Sequence, residues 1–178
     1  MRRKSNKTTL TIVLVIIVAF SLLGFGSFSR IPLASPEQPT SDTLPAQNLD
    51  ERVPCINSNL PVPDQYHIHP HLQIIIDGKD ITIPAGIGIE LSGCERFIHT
   101  HDDTGTIHIE PNYYKELTLG DFFAVWGEQL SPDQVLGYKR DAGHEIVMMV
   151  DGKPSQDFGN LVLKDNQEIV LEYRKTAE

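Results

Sequence analysis

Sulfur is scarce in this 178-residue chain: two cysteines, Cys55 and Cys94, and besides Met1 only Met148 and Met149. That leaves little for a redox-cycling copper site, which often draws on Met or Cys, and both methionines fall in an apolar run that reads as a core strand. No cysteine follows the apolar N-terminal stretch, which argues against a lipoprotein, and Arg2-Arg3 lacks the residues of a twin-arginine signal downstream. No Gly-x-Ser-x-Gly string signals a serine nucleophile. Basic residues are also few past the N-terminus. All 24 acidic residues but only ten of the 15 Lys and Arg lie beyond Arg30, giving that part a formal charge of −14. Such a surface disfavours nucleic acid and attracts cations.

What the chain does have begins with 22 uncharged residues, Thr8 to Ser29, long enough for a helix to span a bilayer. Arg2, Arg3, Lys4 and Lys7 precede it, so residues 1–7 are expected in the cytoplasm, 8–29 as a transmembrane signal anchor, and the rest outside the cell. The alternative is a cleaved signal peptide, which exports the same domain. Residues 30–54 carry five prolines among small polar residues and read as a disordered linker. Residues 55–178 suffice for one extracytoplasmic domain with one core. There Cys55 and Cys94 are expected to form a disulfide, the alternative being Cys94 as a thiolate ligand beside the nearby histidines.

Leu72 to Ile83 has the form of a β-hairpin around Asp77-Gly78, with Ile74 facing Ile81. Arg96 to His101 and Thr106 to Glu110 read as a second hairpin around Asp102 to Gly105. A helix is expected from a Thr118 cap to Gly127, with Phe122, Val125 and Trp126 as its buried stripe, and a shorter helical turn at Ser131 to Gln134. Strands are expected at 145–150, 161–163 and 168–173. This order predicts an α+β fold, a single β-grasp-like domain with an inserted histidine-bearing hairpin; a β-sandwich is the alternative.

The chemistry concentrates in histidine. Five of seven lie in two runs, His67-Ile-His69-Pro-His71 and His99-Thr-His101, with His108 shortly after. On a strand, residues i and i+2 project to one side roughly 6.6 Å apart, so His-x-His can chelate one ion. Three histidines along one strand span too far for a single ion. His69 and His71 are therefore the expected ligands of the first run, with His67 the member to be diverted. His99 and His101 supply the second pair. His108 joins them if Asp102 to Gly105 form a four-residue loop, and turns away if Gly105 closes a three-residue loop with a bulge. His144 reads as a surface or turn residue.

Imidazoles with a carboxylate from Asp102 or Glu110 suit Zn(II) or Cu(II). The leading expectation is a membrane-tethered protein that binds such an ion. One alternative is a small metalloenzyme with an open metal position and Asp102 or Glu110 as general base. Another is a metal-free β-grasp interaction module, the histidines then forming a solvated or pH-responsive face. Cupin and amidohydrolase patterns fit poorly, through spacing and chain length respectively.

The strings His67-x-His-x-His-Leu72, Ile83-Pro-Ala-Gly-Ile-Gly-Ile89, His99-Thr-His-Asp102, Gly105-Thr-Ile-His-Ile-Glu110 and Thr118-Leu-Gly-Asp-Phe-Phe-Ala-Val-Trp-Gly127, with Cys94, together resemble a family of uncharacterised membrane-anchored or exported prokaryotic proteins, notably archaeal ones. The resemblance covers about residues 55 to 175. It implies a recurring domain type and carries no activity with it.

Overall fold

The computed structural model describes residues 48–176, so the cytoplasmic N-terminus, the anchor at 8–29 and most of the linker lie outside the described residues. Among the described residues no helix is long and apolar enough to cross a membrane.

Alternation of apolar and polar residues builds the main sheet. Strands β1 (His71–Ile76) and β2 (Lys79–Ile81) form the first hairpin, with Ile74 paired to Ile81 and positive φ at Asp77 and Gly78. Two short strands, β3 (Ile98–His99) and β4 (His108–Ile109), carry the second histidine region. Helix α1 (Leu49–Arg52) precedes all of these, and helix α2 (Leu119–Trp126) follows them. A meander of β5 (Leu130–Ser131), β6 (Gln134–Val135) and β7 (Tyr138–Lys139) comes next, then β8 (His144–Val150), β9 (Lys153–Ser155) and β10 (Glu168–Lys175). The five-stranded sheet has the order β2-β1-β10-β8-β9, with β1 and β10 parallel and the other neighbours antiparallel. Leu72, Ile74 and Ile76 of β1, Ile146 and Met148 of β8, and Ile169 and Leu171 of β10 join Leu119, Phe122 and Phe123 of α2 in one buried core. The domain is thus mixed α+β, mostly strands, and not an all-β sandwich.

Four sequence expectations change. First, the ordered domain starts before residue 55: Leu49–Arg52 is helical, Val53 is fully buried, and the Arg52 guanidinium grips the buried Asp121 carboxylate at 2.6 and 2.8 Å. Asp121 also caps α2 through a reciprocal box with Thr118. Proline content alone hid this segment, because its order comes from tertiary partners. Second, Ser131 to Gln134 is a hairpin turn and not a helical one. The Ser131 hydroxyl accepts from the Asp133 amide, a bond a serine makes equally well in a helix cap or a turn, and cross-strand pairing decides between them. Third, Leu161–Leu163 forms no strand, only a bridge between Thr118 and Val162. Fourth, α2 buries Leu119, Phe122 and Phe123, while Val125 and Trp126 stay half-exposed.

Candidate metal centre

Three stretches of chain assemble the histidines. In β3 and β4, Ile98 pairs with Ile109 and His99 with His108, the register of a four-residue connection at 102–105. The outer edge of the second arm pairs with the residues leading into β1. Bridges Ile68–Ile109 and His71–Thr106 share one register, which sets His69 opposite His108 and His67 opposite Glu110. Ile68, Ile107 and Ile109 turn inward, and the alternating histidines take the other side.

The result is a contiguous array. Ring centroids lie 4.6 Å apart for His67 and His69, 4.8 Å for His69 and His108, 4.5 Å for His108 and His101, and 4.6 Å for His101 and His99. Among the described residues, two groups offer ligand atoms that all lie within 4.8 Å of one another: His67, His69, His108 and Glu110, and His99, His101, His108 and Glu110. Both could hold a metal ion. The Glu110 Oε1 atom lies 2.9 Å from His67 Nε2, 3.5 Å from His108 Nδ1 and 4.0 Å from His99 Nε2.

Hydrogen bonding orients the rings. His99 is fully buried, and its Nδ1 lies 2.9 Å from the Arg96 carbonyl, which can only accept. The Nδ1 proton is thereby fixed, and in the neutral ring the Nε2 lone pair points at His101 Nε2 at 3.1 Å and Glu95 Oε1 at 3.2 Å. A lone pair and a carboxylate facing each other at that distance repel unless a proton or a cation lies between them. The Arg96 side chain is itself tied down by the Val53 carbonyl, Asp50 and Glu90. This outer shell holds His99 still.

Burial lowers the pKa of His99 below its ordinary 6.5, against opposing hydrogen-bond and carboxylate contributions. Burial also lowers that of His108, assisted by the neighbouring His101, His69 and His99 rings. Both therefore favour the neutral form, which is the form that binds metal. The unfolded chain takes up these protons at higher pH than the folded one. Their contribution to stability is complete above about pH 6.5 and is lost as pH falls through the lowered folded values. The metal-free protein should accordingly show a melting temperature that declines on acidification below about pH 6.5, a decline absent from a His99→Gln/His108→Gln variant. An acid-insensitive wild type between pH 7 and 5 would contradict the assignment.

Close packing behind the site depends on Gly88. Its φ is +77°, and a Cβ there would lie 2.5 Å from the Ile98 carbonyl and 3.0 Å from His99 Cβ. Gly88→Ala should cost on the order of 2 kcal/mol in chemical denaturation, since backbone conformation and space both oppose it. It should also displace His99.

The structure brings together His67, His69, His99, His101 and His108, and leaves out His71. Its Nε2 lies 2.9 Å from the Thr104 carbonyl and its Nδ1 3.2 Å from Glu168. The expected His69–His71 chelate does not form, because pairing of 67–71 with 105–109 directs His69 to His108 instead. Asp102 is also outside both groups: its carboxylate accepts from Thr104 N and Oγ1, which lowers its pKa and closes its own turn. His99 is buried and so belongs to no solvated face. Glu95 was missed, although an acid four residues before the first histidine of a His-x-His pair was a readable signal. Cys55 and Cys94 form a disulfide, so neither is a thiolate ligand. His144 opens β8, stacked on Tyr173 and 3.1 Å from Asp141. Searches of family models, curated proteins and solved structures find no match to this chain.

Proposed function

We propose that this is a membrane-tethered, extracytoplasmic protein that binds Zn(II) or Cu(II) through its histidine array. One observation carries the reading: His108 Nδ1 is buried at the corner common to both ligand groups and has no hydrogen-bond partner among the described residues. An unpaired buried ring nitrogen costs roughly 1–3 kcal/mol. A metal ion would relieve that cost, and a cation would also relieve the repulsion between the His99 Nε2 lone pair and the Glu95 carboxylate.

Donor chemistry narrows the ion. The groups consist of imidazole and carboxylate alone, the cysteines are bonded to each other, and Met148 is a core residue. Such donors suit Zn(II) and Cu(II) better than Cu(I), which prefers sulfur. The disulfide favours an oxidising compartment, and residues 8–29 supply the tether. The sheet order, with its central parallel pair and a helix between the two outer hairpins, supports a β-grasp ancestry for the domain.

The test is metal content of the purified full-length chain after incubation with Zn(II) or Cu(II) and gel filtration. At least one equivalent should be retained by the wild type and none by a His67→Ala/His69→Ala/His99→Ala/His101→Ala variant. A wild type that retains no metal sinks the reading.

A further inference from the structure

We infer that the array holds two metal ions side by side, bridged by the Glu110 carboxylate. This rests on the metal-binding reading above and specifies its nuclearity. The ligand set divides: His67 and His69 belong to one group, His99 and His101 to the other, and only His108 and Glu110 belong to both. An ion with bonds near 2.0 to 2.1 Å in a tetrahedral sphere keeps its ligand atoms about 3.4 Å apart. Each group satisfies that with small side-chain adjustments. One ion choosing either group leaves the other group's two imidazoles idle.

The shared residues are suited to sharing. The Glu110 side chain sits between the groups, with Oε1 2.9 Å from His67 Nε2 on one side and 4.0 Å from His99 Nε2 on the other. A carboxylate in such a place bridges cations about 3.5 to 4 Å apart. Glu110 is held there by its backbone, since its amide donates to the Phe97 carbonyl. Charge is balanced on the more buried side by a second carboxylate, Glu95, whose Oε1 lies 3.2 Å from His99 Nε2 and 3.8 Å from His101 Nε2. One ion then takes His67, His69 and Glu110, and the other takes His99, His101, Glu110 and Glu95. His108 completes one of the two spheres. The side chains of His67, His69 and His101 are 41, 39 and 48 % exposed, which leaves water or a small anionic ligand access to both ions.

Full-length, metal-free chain loaded with Zn(II) should bind two equivalents by elemental analysis. Loaded with Cu(II), it should give an electron paramagnetic resonance spectrum whose integrated intensity falls below the copper content, with a half-field transition from coupled spins. His67→Ala/His69→Ala and His99→Ala/His101→Ala should each retain one equivalent and give an uncoupled signal. Glu110→Gln keeps every imidazole; it should abolish the coupling and weaken the second ion at least about tenfold. Far-ultraviolet circular dichroism and an intact disulfide identify variants that fold. One equivalent in the wild type overturns the two-ion centre while leaving metal binding standing, and none overturns both. Two equivalents with full, uncoupled copper intensity overturn the bridge.

Discussion

His108→Ala should weaken metal binding by more than about 100-fold while leaving the metal-free protein nearly as stable as the wild type. The first half follows from position: His108 is common to both ligand groups, so whichever ion it completes loses a direct ligand. Substitutions of residues that merely support metal ligands commonly cost 10 to 100-fold in affinity, and removing a ligand should exceed that. The second half follows from hydrogen bonding. The His108 Nδ1 atom has no hydrogen-bond partner among the described residues, so truncation removes an unsatisfied buried nitrogen along with ring contacts to His69, His99 and His101. Those changes have opposite sign, and a net effect within about 1 kcal/mol is expected in the metal-free state. His99→Ala differs, because His99 is fully buried and bonded to the Arg96 carbonyl; its loss should destabilise the metal-free protein as well as weaken binding at the group it shares with His101. Isothermal titration with Zn(II), paired with urea unfolding of the metal-free proteins, separates the two cases. A His108 variant that binds as tightly as the wild type would remove this residue from the centre.

Cys55→Ser/Cys94→Ser should lower stability by about 4 kcal/mol, from the entropy of a loop of 39 residues released in the unfolded chain. For a domain of this size that corresponds to a fall in melting temperature of roughly 10–20 °C. The disulfide also closes the side of the histidine array that carries Glu95. The Ile56 amide donates to the Glu95 carbonyl, Cys55 bridges to Arg96, and the Phe97 amide donates to the Pro54 carbonyl. Reduction should loosen the ladder that aims Glu95 and His99, so metal affinity should drop together with stability. Differential scanning fluorimetry with and without reductant, and with and without Zn(II), measures both effects. A melting temperature indifferent to reductant would show that the bond contributes little.

The sequence by itself determined the elements whose cause is local. Asp77-Gly78 and Asp151-Gly152 both make hairpin turns with positive φ, since few other pairs adopt that backbone cheaply. Thr118, Asp121 and Gly127 set the ends of α2 through side-chain and left-handed caps that act within one turn. The sequence left two loop lengths open for Asp102 to Gly105, and the four-residue one, which pairs His99 with His108, is the one the structure takes. The choice between disulfide and thiolate for Cys55 and Cys94 was open in the sequence and is closed by their proximity, with Cα atoms 5.3 Å apart. Only the tertiary structure decided which histidines meet. His-x-His spacing brings two rings to one side, but it does not say which other strand lies opposite. Here the residues leading into β1 pair with 105–109, so His69 meets His108, His67 meets Glu110, and His71 is left with Thr104 and Glu168. Burial was equally unreadable. His99 lies beneath Gly88, which a separate loop supplies, and it is burial that keeps its ring neutral while the Arg96 carbonyl directs its lone pair towards His101 and Glu95.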